Sequence, residues 1–249
     1  WDGFNNLFRE LLPFTEDFAL KSNFHKFYTS HKEYYSKQTA RLNQLLPVKK
    51  IWKWLEAEFP KRKCNSYKII FSPLIGGSHS TQIFFTRNPK TNNEFCEIVM
   101  FICSAYRYDM DDKLTEKQKE GLMSGVVFTE IDHNYVNPET SRYRDEVSKV
   151  FTKQNSWSSP NENWYNDPIS VFNEYMTHSL YCLWIKENYD EKTADFIINM
   201  REDLNVNKRG FYKFNGFNRE LMRLHKENPK AKVSDLYPLI LKWCKEHCS

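Results

Sequence analysis

"VVFTEIDHNYVNP", residues 126–138, decides how this chain is read. The stretch falls in a helix expected over 114–135, entered after "YRYDMDDK". Asn137-Pro138 is expected to close it, because the residue before a proline is pushed out of the helical region. On that helix Thr129 and His133 are i and i+4, and Glu130 and His133 are i and i+3. All three side chains therefore share one face.

A Glu and a His at this spacing are two parts of the H-E-x-x-H zinc pattern. There two histidines hold the metal and the Glu takes a proton from metal-bound water. Thr129 stands where the first His would be, and a neutral hydroxyl is a weak zinc ligand beside an imidazole. A third ligand must come from another element, and a Glu on a following helix meets the need. "FNEYMTHSLYCLW" (172–184) supplies Glu174 on a helix expected over 168–188, with His178 at i+4 on the same face. Phe172, Met176, Leu180 and Leu183 make that helix's apolar stripe. Glu174 and His178 lie off it, and a buried carboxylate there needs a partner.

Working outward, residues 4–46 read as helical with a break at Pro13, and 48–58 as a helix ending before Pro60. "YKIIFSPLI" (67–75), "TQIFFTR" (81–87) and "EFCEIVMFIC" (94–103) are short, β-branched and aromatic, and read as a small sheet with hairpin connections. Further helices are expected at about 139–153, 190–203, 214–227 and 234–247. Asp167-Pro168 marks the start of the Glu174 helix, a cap residue before a first-turn proline. The polar loop "KQNSWSSPNENWYN" (153–166), with two Trp, reads as a functional loop. The order is helices, sheet, then helices. That is α+β, one domain over 1–249 with a lobe at 1–112 and a helical lobe at 113–249.

The 249 residues suffice for a core without staples, and aromatics at 16% with only 7 Gly favour bulky helical packing. The net charge of +4 is modest. The most basic stretch, "KKIWKWLEAEFPKRK" (49–63), reads as an amphipathic helix burying Ile51, Trp52, Leu55 and Phe59, not as a nucleic-acid surface. No apolar run approaches the roughly 20 residues that span a bilayer. Cys64, Cys96, Cys103, Cys182, Cys244 and Cys248 make an even count that permits disulfides. Their spacing matches neither a zinc ribbon nor C-x-x-C, and they read as buried thiols.

The run "FTEIDHNYVNP" followed by "FNEYMTHSLY" resembles an uncharacterised bacterial family of zincin-like (gluzincin-type) metallopeptidases, whose motif is roughly H-E-F-x-H-x-F-V-N-P. "FHKFYTSHKEYY" and "IIFSPLIGG" resemble that family's N-terminal helix and first strand, so the likeness covers about residues 20–190. It implies a zincin-like fold, Glu130 as general base, His133 and Glu174 as zinc ligands, and a secreted, periplasmic or cell-surface protein acting on peptides. The departure is Thr129. His178, or His79 from the turn before the second strand, would be the replacement ligand, and Tyr212 or His178 the group facing an oxyanion. The expected function is a metallopeptidase homologue with a degenerate metal site, weakly active or inactive. A second reading is a non-catalytic protein holding a peptide or glycan in the old cleft. A third is a chance motif, which predicts Glu130 or His133 more than about 10 Å from Glu174, too far for one metal.

Overall fold

The chain divides into two units, residues 1–43 and 44–249. The computed structural model describes residues 2–77, 79–87, 90–104, 106–152, 156–159, 165 and 167–248, with backbone alone at 2–8, 106 and 107.

The first unit holds α1 (Asp2–Lys21), α2 (Phe24–Ser30) and most of α3 (Lys32–Leu45). Pro13 does not break α1, contrary to expectation. Its surroundings are exposed, so the carbonyl that its missing N–H leaves free is open to solvent. The break falls instead at Asn23, whose φ of 53° is left-handed.

The second unit begins with α4 (Val48–Glu58), which buries Ile51 and Leu55 as its amphipathic pattern requires, with Phe59 just beyond it also buried. Strands β1 (Ser66–Phe71), β2 (Ser80–Arg87) and β3 (Glu94–Ile102) form a sheet in the order β1-β3-β2. β2 and β3 are the expected antiparallel pair, with Ile83 opposite Ile98. β1 is not hairpinned to β2. It pairs with the far side of β3, in parallel, Ile69 opposite Met100. The central place goes to the strand with the near-continuous apolar run: Ile98, Met100 and Ile102 are fully enclosed. Cys64 and Cys96 are joined in a disulfide, against the reading of six thiols, while Cys103, Cys182, Cys244 and Cys248 are thiols.

After the short α5 (Tyr106–Asp109), Thr115 opens α6 (Glu116–Thr140) with a reciprocal cap: its hydroxyl accepts from Gln118 N, and Gln118 Oε1 accepts from Thr115 N. α6 runs five residues past 135, straight through Pro138, so Asn137-Pro138 does not close it. Pro138 has no N–H for the Asn134 carbonyl four residues back, and Arg62 Nε donates to that carbonyl instead, at 3.2 Å. A 3₁₀ turn (141–143) and α7 (Arg144–Val150) follow.

α8 (Pro168–Asn188) starts where Asp167 accepts from the backbone N–H of Ile169 and Ser170. Every residue from Val171 to Ile185 is buried, so α8 is the central helix of this unit. α9 (Glu191–Asp203), a π-helical turn (204–208), α10 (Phe214–Glu227) and α11 (Val233–Glu246) surround it. Gly125 lets α6 close on this assembly: a Cβ there would lie 2.7 Å from the Tyr181 ring and 2.1 Å from Arg201 Nη2. Much of the loop expected to be functional lies outside the described residues, including Trp164. Trp157 is core, stacked on Phe151 at 4.3 Å and donating to the Val150 carbonyl. The unit is α+β and mostly helical, and among the described residues no helix is long and apolar enough to cross a membrane.

Candidate functional site

α6 and α8 are the two elements that meet most closely outside the sheet, and the motif residues face each other across them. His133 Nε2 lies 3.6 Å from Glu174 Oε1, and His178 Nε2 lies 3.4 Å from Glu174 Oε2. The separation of more than about 10 Å that a chance motif predicts is not observed for His133. Glu130 is near enough for the charge of Glu174 to act on it. Exposure falls with depth, from 23% for the His133 side chain to 11% for Glu174 and 3% for His178. His133 and Glu130 form the open rim, and Glu174 and His178 the floor.

A residue that sequence reasoning missed sits in the middle. Arg209 follows the π-helical turn, next to Gly210, whose φ of 70° only glycine adopts freely. A Cβ on Gly210 would also come within 2.5 Å of Ser159 Cβ. From this turn Arg209 Nη2 donates to Glu174 Oε2 at 2.7 Å and to the Tyr165 hydroxyl, while Nη1 donates to His178 Nε2. The rings of Tyr165 and Phe211 flank the guanidinium at 5.2 and 5.1 Å. Beyond His178, Arg201 Nη1 reaches Nδ1 at 3.2 Å and lies over the Tyr181 ring. A neutral imidazole has one lone pair and one N–H, so His178 accepts from only one of the two arginines.

These contacts set the charges. Burial and the Arg209 charge push His178 down to about 3, against the pull of Glu174, so it is neutral near pH 7. Burial disfavours ionised Glu174, but the Arg209 charge beside it outweighs burial and holds it down to about 2. Glu130 has no hydrogen-bonded cation among the described residues, and the Arg209 charge offsets its environment only in part. Burial, then the Glu174 charge, pushes it up to about 7. Asp132, fully enclosed, is pushed well above its ordinary value by burial, against a Thr177 hydrogen bond that lowers it and with the Glu174 and Glu130 charges adding to the rise. The site has one ionised carboxylate, paired with Arg209, and one carboxyl poised near neutrality.

The residues do not fit the zinc centre that the resemblance implies. Thr129 Oγ1 donates to the Gly125 carbonyl at 2.8 Å, back onto its own helix. His178 Nε2 and Glu174 Oε2 are taken by Arg209. His133, with Nδ1 on Asn137 Oδ1 at 3.3 Å, and Glu174 Oε1 are left. Two donors fall short of the three protein ligands of a catalytic zinc site. Among the described residues no group of three or more His, Cys, Asp or Glu is placed to hold a metal ion. The cluster holds the Arg209 guanidinium between Glu174 and His178.

His79 does not join the cluster. It precedes β2, with Nε2 3.7 Å from Cys103 Sγ. Tyr212 is exposed, and the tyrosine at the site is Tyr165. The signal that could have pointed to Arg209 is slight: an arginine directly before a glycine, 35 residues after Glu174. Comparison with family models, with curated protein sequences and with solved structures finds no match for this chain.

Proposed function

We propose that this chain is a zincin-like metallopeptidase homologue, of the family its motif resembles, whose zinc site has given way to an internal cation and which binds peptides without cleaving them. The observation that carries this reading is Arg209, seated between Glu174 and His178, two of the residues expected to face the metal. A guanidinium neutralises Glu174 as a metal would. It neither activates water as a bound metal ion does nor, with a pKa above 12, exchanges protons near pH 7. Glu130, poised near neutrality on the rim, is left as a hydrogen-bonding group without a metal-bound water to deprotonate.

Peptide is favoured over glycan by the sheet. β2 is an edge strand, and Asn134 Nδ2, one residue after His133, donates to Thr81 Oγ1 near its start at 3.2 Å. An extended chain adding to that edge would pass beside the rim. The Cys64–Cys96 disulfide supports the extracytoplasmic, oxidising compartment that the resemblance implies.

The test is to incubate the protein with a mixture of unstructured peptides, measuring retention and intact mass together. Retention without cleavage, weakened by His133→Ala, is expected. Cleavage abolished by both Glu130→Gln and a chelator would overturn the proposal.

A further inference from the structure

On the other side of α6 lies a cavity of about 210 Å³ that the reading above does not use. Its walls are Phe59 and Tyr135, both almost wholly buried. The Tyr135 hydroxyl is spent on the Tyr67 hydroxyl, so Tyr135 presents a ring rather than a polar group. Three cations line the same space, Lys61, Arg62 and Arg142, against one carboxylate, Glu139.

Their hydrogen bonds leave donors over. Arg62 spends Nε on the Asn134 carbonyl that Pro138 leaves free, which fixes the plane of its guanidinium. Its two Nη atoms have no hydrogen-bond partner among the described residues, and its carbon lies 5.8 Å from the Phe85 ring centroid. Arg142 gives Nη1 to Glu139 Oε1 at 2.7 Å. Lys61 has no ion pair among the described residues. A part-buried, pre-oriented guanidinium with a free fork is the donor arrangement that recognises a carboxylate.

An apolar cavity of about 150 Å³ takes a benzene ring, so this one has room for a single ring and a short acidic arm. We infer that the cavity between the segment following α4 and the C-terminal part of α6 is a binding site for an aromatic carboxylate, its ring against Phe59 and Tyr135 and its oxyanion on Arg62, with Lys61 and Arg142 adding charge. A free aromatic acid and the C-terminus of a peptide ending in Phe or Tyr share that chemistry.

The test is calorimetric titration of the whole chain with hydrocinnamate, with its uncharged amide, and with a tripeptide ending in Phe. Saturable one-to-one binding of the acid is expected, with the amide about ten- to hundredfold weaker, as befits loss of a charged hydrogen-bonded group. Whichever of the free acid and the tripeptide binds more tightly names the source. A Lys61→Ala/Arg142→Ala variant should bind the acid at least about tenfold more weakly. Both side chains lie at the surface end of the cavity, and circular dichroism checks that the variant is folded. Absence of saturable binding, equal binding of acid and amide, or a variant that binds like the parent would overturn the proposal.

Discussion

Arg209 donates to Glu174 Oε2 at 2.7 Å and to His178 Nε2, and so ties the two residues together. The Arg209–Glu174 pair spans two elements that sequence order keeps 35 residues apart, and it neutralises the most deeply buried ionised carboxylate of the cluster.

Removing one partner should therefore be severe. Arg209→Met leaves Glu174 buried without its cation, and a loss of about 3 to 5 kcal/mol is expected in urea denaturation. The double variant Arg209→Met/Glu174→Gln should recover most of that loss. A single variant as stable as the parent would mean that the ion pair contributes little.

The pH dependence of stability has two parts of opposite sign. Glu174 titrates lower folded, about 2, than its ordinary 4.5, so its contribution is present above pH 4.5 and is lost as pH falls toward 2. Glu130 titrates higher folded, about 7, so the unfolded chain gives up this proton first, and stability declines as pH rises from 4.5 to 7. Glu130→Gln should abolish the second slope and raise stability at pH 8 by about 1 to 2 kcal/mol, allowing for the partial exposure of the site. An unchanged slope in that variant would assign the decline to another group.

Pro138 and Arg62 should be coupled. Arg62→Met orphans the Asn134 carbonyl and is expected to cost about 1 to 3 kcal/mol. Adding Pro138→Ala restores an N–H for that carbonyl, so the double variant should lose less than the single variants sum to. Strict additivity in the double-mutant cycle would contradict the replacement of one donor by the other.

Gly125→Ala puts a methyl group 2.7 Å from the Tyr181 ring. A destabilisation of about 1 to 3 kcal/mol is expected from thermal melts, because the ring is held by its hydroxyl on the Gly121 carbonyl. A neutral outcome would show that α6 and α8 can part at little cost.

Much of this fold was legible because the period and the punctuation agreed. Asp167-Pro168 starts α8 where expected, and the faces of α4 and the pairing of β2 with β3 follow from their patterns. The failures share a cause: a distant partner changed a local rule. Pro138 should end a helix, but Arg62, 72 residues away in sequence, takes over the orphaned carbonyl. β1 should be hairpinned to β2, but the apolar run of β3 claims the middle of the sheet. Trp157 reads as part of a polar functional loop until Phe151 and Tyr175 are placed against it.

The site divides in the same way. Glu130, His133, Glu174 and His178 were readable because helical spacing fixes their faces. Arg209 was not, because its position depends on the π-helical turn and the left-handed Gly210 that aim it inward. Thr129, read as a lost ligand, turns its hydroxyl to the Gly125 carbonyl, a habit of threonine inside helices.

The most direct test of the central claim is zinc stoichiometry by elemental analysis, on the purified parent beside a Thr129→His/Arg209→Ala variant. Far less than one zinc per chain is expected in the parent, and close to one in a folded variant that regains the first histidine and loses the internal cation. Tight, equimolar zinc in the parent would contradict that claim, since Arg209 could not then occupy the place of the metal.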